Sequence, residues 1–505
     1  MENNFDVILD CYSDEPSGYG VPPFLGVHQR YISSALKYLR RTHYYITIDD
    51  LRYAKNFRLK VSEGNSDISI TNLTANTNKT LELLSKANTI YIVMGCFVEY
   101  EYVSALPPRS SELYDLIKDF ESPKVLFYVL GSATRLPSRF KESPLFKIMD
   151  KVVTGLSYNF LLNNEADSFS PNYDLLSKIT RLGSPIISQI PSPRIIEVES
   201  MIGCDWAKCS FCIERVRGYD LVFRSVDDII TDIVATYNSG ARYFRIGRNP
   251  NFYSYMKQDL RSMDALLNGI RELCPDLKVL HIDNVNPESV TTLQGREITK
   301  MIVKYCTSGN IAPFGIESFD PVVRKKNSIN ATIEQIMEAI SIMNEYGKEK
   351  GENGSPKYLN GINLIYNLPG QRDATIDFNL EYLNRIFEKG FHTQRLFFRN
   401  LSSPLGISMK EIEKSQENNQ YESWKQRIYN EFSIPMLKRV FPVGTILKEV
   451  VVEAWINGDS ILRQIGTSPP RIIVQNRTLP IGSSYSILVK EFLKHRTLLG
   501  EIIEN

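Results

Sequence analysis

The chain has 505 residues, 43% of them apolar, and a formal net charge of +1 at neutral pH. That length suits two or three domains with sizeable cores, and the balanced charge excludes broad electrostatic attraction to nucleic acid or to an anionic membrane surface. The acidic, polar start Met1–Asp6 does not read as a signal peptide, and the longest apolar stretch, residues 90–98, is too short to span a bilayer, so a cytoplasmic protein with reduced cysteines is expected.

Residues 1–185 alternate short apolar runs with helical segments. Strands are predicted at 6–11, 44–48, 89–94, 125–130 and 151–153, and helices at 31–39 and 80–84. The runs are β-branched and aromatic, as buried parallel strands require, and their alternation with helices predicts a doubly wound, Rossmann-like α/β domain. Such sheets bind ligands beyond the carboxyl ends of their strands. Small residues gather there: Gly18 and Gly20, Gly95 beside Cys96, Gly131 with Ser132, and Thr154 with Gly155. Together they suggest a cofactor cradle, because small residues let a backbone approach a bulky ligand.

Residues 185–193 contain three prolines and read as a linker. A second βα series occupies 193–427, with strands predicted at 195–199, 242–246, 278–283, 311–316, 360–366 and 395–399. Ser225 with Asp228 and Thr332 with Gln335 mark helix starts as capping boxes. Six βα units predict a partial (β/α)6 barrel whose site lies at the carboxyl ends of its strands. The polar loop 348–357 is expected to be solvated. From residue 428 the pattern changes, and a small α+β cap is predicted over 428–505, with strands at 446–456 and 472–475 and a closing helix at 486–494.

Three of the seven cysteines, Cys204, Cys209 and Cys212, follow the first strand of the second series within nine residues. Three thiolates can hold three irons of a [4Fe–4S] cluster and leave the fourth iron open to a small molecule. Structural zinc wants four ligands, usually as two close pairs. Cys209 and Cys212 make one pair, but Cys274, Cys306 and His281 stand alone. The scattered Cys11, Cys96, Cys274 and Cys306 read more simply as buried small hydrophobes.

The cysteine motif, its preceding strand and the partial barrel resemble the radical S-adenosylmethionine (SAM) superfamily. The usual motif there is C-x3-C-x2-C with an aromatic residue before the last cysteine. Phe211 matches the aromatic, while four residues separate the first two cysteines here. The resemblance implies that Phe211 packs near the SAM adenine. Gly315-Ile316-Glu317-Ser318 resembles the ribose-contacting segment, so Glu317 and Ser318 are implied ribose contacts. Residues 363–370 resemble the segment beside the adenine, which brings in Asn363 and Tyr366. The family's Gly-Gly-Glu-like segment has a poor counterpart in residues 245–250, where Arg245 offers a positive charge for a carboxylate of SAM or substrate. The aromatic residues Phe252, Tyr253 and Tyr255 are expected to pack the barrel edge.

An α/β domain ahead of such a barrel resembles the cobalamin-binding subclass, which implies a Rossmann-like cobalamin domain over 1–185. His28 and His43 are the domain's histidines, and no Asp-x-His-x-x-Gly motif is present, so cobalamin without a histidine below cobalt is implied. Residues 10–23 and 282–287 look like an archaeal group of this subclass, the one that methylates a glutamine carbon of methyl-coenzyme M reductase. The implied activity is C-methylation of an unactivated sp3 carbon, through a 5′-deoxyadenosyl radical and methylcobalamin. The implied partners are a protein or peptide substrate, the alpha subunit of that reductase, and an electron donor. Two alternatives stay open: a cobalamin-binding radical SAM enzyme that rearranges or cyclises its substrate without methylating it, and a non-catalytic zinc-stabilised binding protein.

Overall fold

The computed structural model describes residues 4–13, 21–57, 71–95, 105–129, 138–168, 170–217, 220–401, 418–494 and 496–503. Five parallel strands build the first sheet: β1 (Phe5–Asp10), β2 (Thr42–Thr47), β3 (Ile90–Gly95), β4 (Lys124–Val129) and β5 (Lys151–Val153). Their order is β2-β1-β3-β4-β5, with Val7 paired to both Tyr44 and Ile90. The winding direction reverses between β1 and β3, and doubly wound sheets open their ligand crevice at that reversal. Val7, Ile8, Leu9, Ile90, Ile92 and Val93 are fully buried, so both faces of the central strands are covered, and each such side chain contributes roughly 1.5–3 kcal/mol. The expected α/β architecture is therefore present.

The proline-bearing stretch is not a free linker. Thr180–Gln189 forms a 3-10 helix against helix Val27–Tyr38. A Cβ on Gly183 would collide with the Arg30 carbonyl and the Ser34 hydroxyl, and the Gln189 side chain accepts hydrogen bonds from Tyr45 N and Asn76 Nδ2.

The second series supplies β6 (Ile195–Glu199), β7 (Tyr243–Gly247), β8 (Val279–Ile282), β9 (Asn310–Glu317), β10 (Tyr358–Tyr366) and β11 (Arg395–Asn400). Strands β6–β7–β8 form one parallel sheet, extended beyond β6 by the short strand Phe24–Leu25, and β9–β10–β11 form another. A parallel bridge from Val285 to Phe314 joins them, giving the open, six-stranded partial barrel. Strand side chains alternate. Ile196, Val198, Phe244, Ile246, Leu280 and Ile282 are fully buried in the core, while Glu197, Arg245 and His281 share the other face in register. Thr332 and Gln335 make the expected capping box. Ser225 also accepts from Asp228 N, but the Asp228 carboxylate turns to Arg224 instead of completing the box.

The C-terminal segment differs from expectation. After helices Asn418–Ile428 and Ile434–Val440, five strands close into a small barrel: β12 (Ile446–Ile456), β13 (Asp459–Gln464), β14 (Arg471–Val474), β15 (Ser484–Lys494) and β16 (Thr497–Ile502). Residues 486–494, read as a helix, lie within β15. Ile487 and Val489 are both fully buried, and this two-residue period outweighs the helix-forming Lys and Glu between the apolar residues.

The loop 348–357 is solvated at Lys348, Glu349, Lys350 and Glu352, as expected, but Ser355 and Pro356 are buried. A Cβ on Gly354 would collide with the Ile446 carbonyl, Lys448 N donates to Asn353 O at 3.1 Å, and Ser355 Oγ donates to Gln464 Oε1 at 2.7 Å. The loop thus seats the small barrel against the larger one. No helix among the described residues is long and apolar enough to cross a membrane.

Candidate active site

The loop carrying Cys204, Cys209 and Cys212 leaves the carboxyl end of β6 through the short strand Met201–Ile202, which pairs with Val222–Phe223. Gly203 adopts φ 95°, and a Cβ there would lie 2.6 Å from the Asp220 carbonyl, so only glycine fits this turn. The loop is clamped at both ends. The Asp205 carboxylate accepts from Asn251 Nδ2 at 3.2 Å and from the Ser254 hydroxyl, both just beyond β7. Trp206 Nε1 donates to Ser328 O at 2.8 Å. Ser210 N donates to Asn327 O at 3.0 Å, and its hydroxyl donates to Asn327 Oδ1 at 2.6 Å. Asn327 is itself fixed by bonds from Nδ2 to the carbonyls of Val323 and Pro369.

Burial pushes all three thiols up, Cys209 to about 11 and Cys212 to about 12. Main-chain N–H groups oppose that rise, those of Ala207 and Trp206 at Cys204, of Asn330 at Cys209 and of Glu214 at Cys212. Ala207 N lies 3.3 Å from Cys204 Sγ. Uncoordinated, these groups are neutral thiols at pH 7, and a positively charged metal centre would draw them into the thiolate form. Among the described residues no three His, Cys, Asp or Glu side chains are gathered as ligands of a single ion. The fit to a cluster rests on the donor chemistry: three thiols on one clamped loop, each sulfur facing backbone N–H groups of the kind that tune iron–sulfur centres.

Glu317 ends β9 with φ 59°, and its Oε1 lies 3.0 Å from where a Gly315 Cβ would sit. Its charge is felt at Cys209 and at Arg324, so it stands beside the cysteine loop. Arg324, which sequence reasoning did not single out, spans the floor: Nη1 donates to the carbonyls of Ile316 and Ser318, both at 2.8 Å, and Nη2 reaches those of Asn330 and Ala331. Burial lowers its pKa to about 10 against the opposing charges of Glu317 and Cys209. Phe211 is half-buried on the loop. Asn363 is half-buried, and its Oδ1 makes no hydrogen bond.

Other expected contacts are occupied by the fold itself. Ser318 is 1% exposed, accepts from Asp320 N, and bonds Asn379, so its hydroxyl is turned away from any ribose. Tyr366 is 2% exposed, donates to Gln420 Oε1 at 2.7 Å, and packs against Phe398, Tyr421 and Trp424. Arg245, expected to meet a carboxylate of SAM or substrate, instead pairs with Glu197 at 2.8 Å and Asp283 at 3.1 Å inside the barrel. Gly247 is glycine because a Cβ would sit 2.5 Å from Glu197 Oε1 and against Arg245. Arg248 pairs with Glu199 at 3.0 Å. Phe252, Tyr253 and Tyr255 are fully buried, as packing residues.

In the first domain, Gly18, Gly20, Cys96, Gly131 and Ser132 lie outside the described residues. Gly95 closes β3 at the winding reversal. Thr154 donates to Asp167 Oδ1 at 2.8 Å. The space beside Gly155 is filled by the Ser168 backbone, so that glycine serves the fold. The crevice edge is lined by a buried polar set: Asp10 accepts from Gln29 Nε2 and Tyr45 OH, and Tyr12 OH donates to Asp49. His43 bonds Ser33 and is held neutral by burial, its pKa lowered to about 4. Cys11 and Cys274 are fully buried and Cys306 is half-buried.

No protein-family model matches the chain. It is 33% identical to an uncharacterized protein of Methanocaldococcus jannaschii, covering 99% of this chain and 93% of that protein. It is 32% identical to an uncharacterized protein of Archaeoglobus fulgidus, covering 92% and 83%. Among solved structures, it matches the radical SAM methyltransferase TsrM from Kitasatospora setae, bound to cobalamin and a [4Fe–4S] cluster, with TM-score 0.52 and 11% identity over 81% of this chain and 75% of that one. It also matches the apo form of OxsB, a cobalamin-dependent SAM radical enzyme, with TM-score 0.50 and 13% identity over 84% and 56%. These likenesses show a shared fold.

Proposed function

We propose that this chain, which belongs to one family with the Methanocaldococcus jannaschii and Archaeoglobus fulgidus proteins, is a cobalamin-dependent radical SAM C-methyltransferase. The observation that carries this reading is the clamped loop of Cys204, Cys209 and Cys212 at the mouth of an open barrel, behind a doubly wound domain. The fold shared with TsrM supports it.

In this reading Cys204, Cys209 and Cys212 hold a [4Fe–4S] cluster and leave one iron for SAM. Phe211, Glu317 and Asn363 surround the SAM position, and the crevice between β1 and β3, with Gly95 at its edge, receives cobalamin. When bound, the cluster with SAM supplies a hydrogen-abstracting 5′-deoxyadenosyl radical, and cobalamin supplies a transferable methyl group. The protein's own part is positioning. The Asp205 and Asn327 clamps fix the loop, and Arg324 holds the backbone turn under Cys209. The buried Arg30–Asp232 ion pair, with the Arg30 bond to the Glu197 carbonyl, joins helix Val27–Tyr38 to the barrel and fixes the distance between the two modules, which reacting groups on one carbon require.

The finer reading takes the substrate to be a protein residue, the glutamine Cα in the alpha subunit of methyl-coenzyme M reductase. It rests on the resemblance of residues 10–23 and 282–287 to that archaeal group. An electron donor would complete the system.

The test is to purify the protein without oxygen, supply cobalamin, and assay iron, sulfide, 5′-deoxyadenosine and transfer of labelled methyl from SAM to reductase peptides. Cluster, cobalamin and labelled peptide together support the reading. 5′-Deoxyadenosine without methyl transfer to any peptide would favour the non-methylating radical enzyme. Zinc in place of iron would end both.

A further inference from the structure

We propose that the cleft between the end of the first domain and the stem of the cysteine loop binds the alkyl-ammonium or alkyl-guanidinium side chain of a basic peptide residue. The cleft has a volume of about 510 Å3. One wall comes from residues 159–174, which follow β5, and the other is the short strand Val222–Phe223. That strand pairs with Met201–Ile202, from which the cysteine loop departs. An occupant would therefore lie beside the stem of that loop, and none of the three cysteines lines the cleft.

Both walls are held by the fold itself. Gly155 N donates to Ala166 O at 2.9 Å, Leu156 N to Ser168 O at 2.8 Å, and Thr154 Oγ1 to Asp167 Oδ1 at 2.8 Å. These bonds pin the segment that carries Glu165 to the end of β5. Asn172 caps helix Tyr173–Ile179 by accepting from Leu175 N at 2.9 Å. Tyr173 OH donates to Glu199 Oε1 at 3.2 Å and ties this helix to the barrel.

The chemistry of the lining selects a cation. It carries two carboxylates, Glu165 and Asp174, and no lysine or arginine. Both carboxylates are exposed, and among the described residues neither forms an ion pair. Asn159 is an independent sign. It lines the same cleft, is 2% exposed, and donates from Nδ2 to Ser168 Oγ at 3.3 Å and Ser170 O at 3.1 Å. Its Oδ1 has no hydrogen-bond partner. A buried acceptor without a donor is costly, and a cationic donor seated in the cleft would supply one. Val222 and Phe223 are half-buried and offer an apolar surface. Lysine and arginine join an apolar stem to a charged head, so the stem fits the strand and the head fits the carboxylates, where charge-assisted bonds are strong. This inference does not depend on the reaction proposed above, because the cleft lies outside the cysteine site and is tested by binding.

The full-length protein, as isolated, is titrated with Nα-acetyl-lysinamide and, separately, Nα-acetyl-argininamide at constant ionic strength while its thermal midpoint is followed. Nα-acetyl-norleucinamide serves as the uncharged reference. The expected result is a midpoint that climbs with the concentration of either cation and stays level with the norleucine compound. In E165Q/D174N the apparent affinity should fall roughly tenfold or more, as loss of charge-assisted bonds predicts. E121Q/E142Q removes the same charge from exposed positions outside the cleft and should leave the affinity unchanged. A stronger response to spermidine than to the lysine compound would overturn the assignment to a peptide side chain. Equal responses in wild type and E165Q/D174N, an equal response to the norleucine compound, or no response at all would overturn the site.

Discussion

Replacing Asp232 by alanine should destabilise the joint between the first domain and the barrel by about 3–5 kcal/mol, the range for breaking a buried ion pair. Asp232 lies on helix Val226–Asn238 and is fully buried. Its Oδ1 accepts from Arg30 Nη1 at 2.7 Å and its Oδ2 from Arg224 Nη1 at 3.3 Å. Both arginines are at most 1% exposed; removing the carboxylate takes from Arg30 the group it pairs with, while Arg224 keeps the Asp228 carboxylate at 2.8 Å, so the lower half of the range is expected. Arg30 belongs to helix Val27–Tyr38 and also donates to Glu197 O at 2.7 Å, so the loss falls on the joint itself. The Asp232 pKa is lowered: burial would raise it, but Arg30 and Arg224 together prevail. An acid with a depressed folded pKa stabilises above its unfolded value, near 3.8, and the contribution disappears as pH falls through the folded value. Urea titration followed by circular dichroism should therefore show a constant deficit for D232A between about pH 5 and 8 and a shrinking one below roughly pH 4. The double variant R30M/D232L, which leaves Arg224 paired with Asp228, should recover much of the deficit, as apolar replacements of buried ion groups often do. A D232A deficit under about 1 kcal/mol at pH 7, or one equal at pH 3 and pH 7, refutes the reasoning.

Alanine at any one of Cys204, Cys209 or Cys212 should reduce bound iron and sulfide by at least tenfold in anaerobically isolated protein, measured by metal analysis. Asn327→Ala touches no thiol, yet it removes the side-chain bond to Ser210 and the ties to Val323 and Pro369. It should lower iron retention severalfold with an unchanged far-ultraviolet circular dichroism spectrum. His281 is buried and neutral, with its pKa lowered to about 3 by burial, and Thr467 N donates to its Nδ1 at 3.1 Å. A base with a depressed folded pKa destabilises the fold as pH drops below its ordinary value of 6.5. H281Q should therefore flatten the decline in stability between about pH 6.5 and pH 3, and an identical acid limb in both proteins would count against this reading. Gly466→Ala would set a Cβ 2.9 Å from His281 Cε1 and should cost about 1–3 kcal/mol by overpacking, read as a lower denaturant midpoint.

Much of this fold could be read from apolar runs and turn residues. The strands near 6–11, 90–95, 124–129 and 195–199 were legible because both of their faces are buried, which makes the run continuous and unambiguous. Residues 486–494 were misread because Lys490 and Glu491 interrupt an apolar pattern that fits either period when only nine residues are available. The packed character of residues 185–189, read as part of a linker over 185–193, was hidden because proline density looks the same in a linker and in a tight 3-10 turn. At the site, the cysteines were legible as chemistry, and Glu317 as the end of a strand. Arg324, Asn327 and Asp205 were not, because their roles arise from main-chain carbonyls and side chains far away in sequence. Ser318 and Tyr366 were read as cofactor contacts from their segments alone, but a motif gives no direction for a side chain, and both turn into the core.

The clamp on the cysteine loop bears on how the protein matures. The loop spans residues 204–212, but its anchors at Asn327 and Ser328 emerge from the ribosome more than a hundred residues later. Until that later segment folds against it, the loop lacks the contacts at Trp206, Cys209 and Ser210, although the Asp205 bonds to Asn251 and Ser254 can already form. Domains fold as units during synthesis, so insertion of the cluster proposed above should wait for the segment that follows β9, through Asn330. The delivering machinery would then meet a folded loop and not an unanchored one.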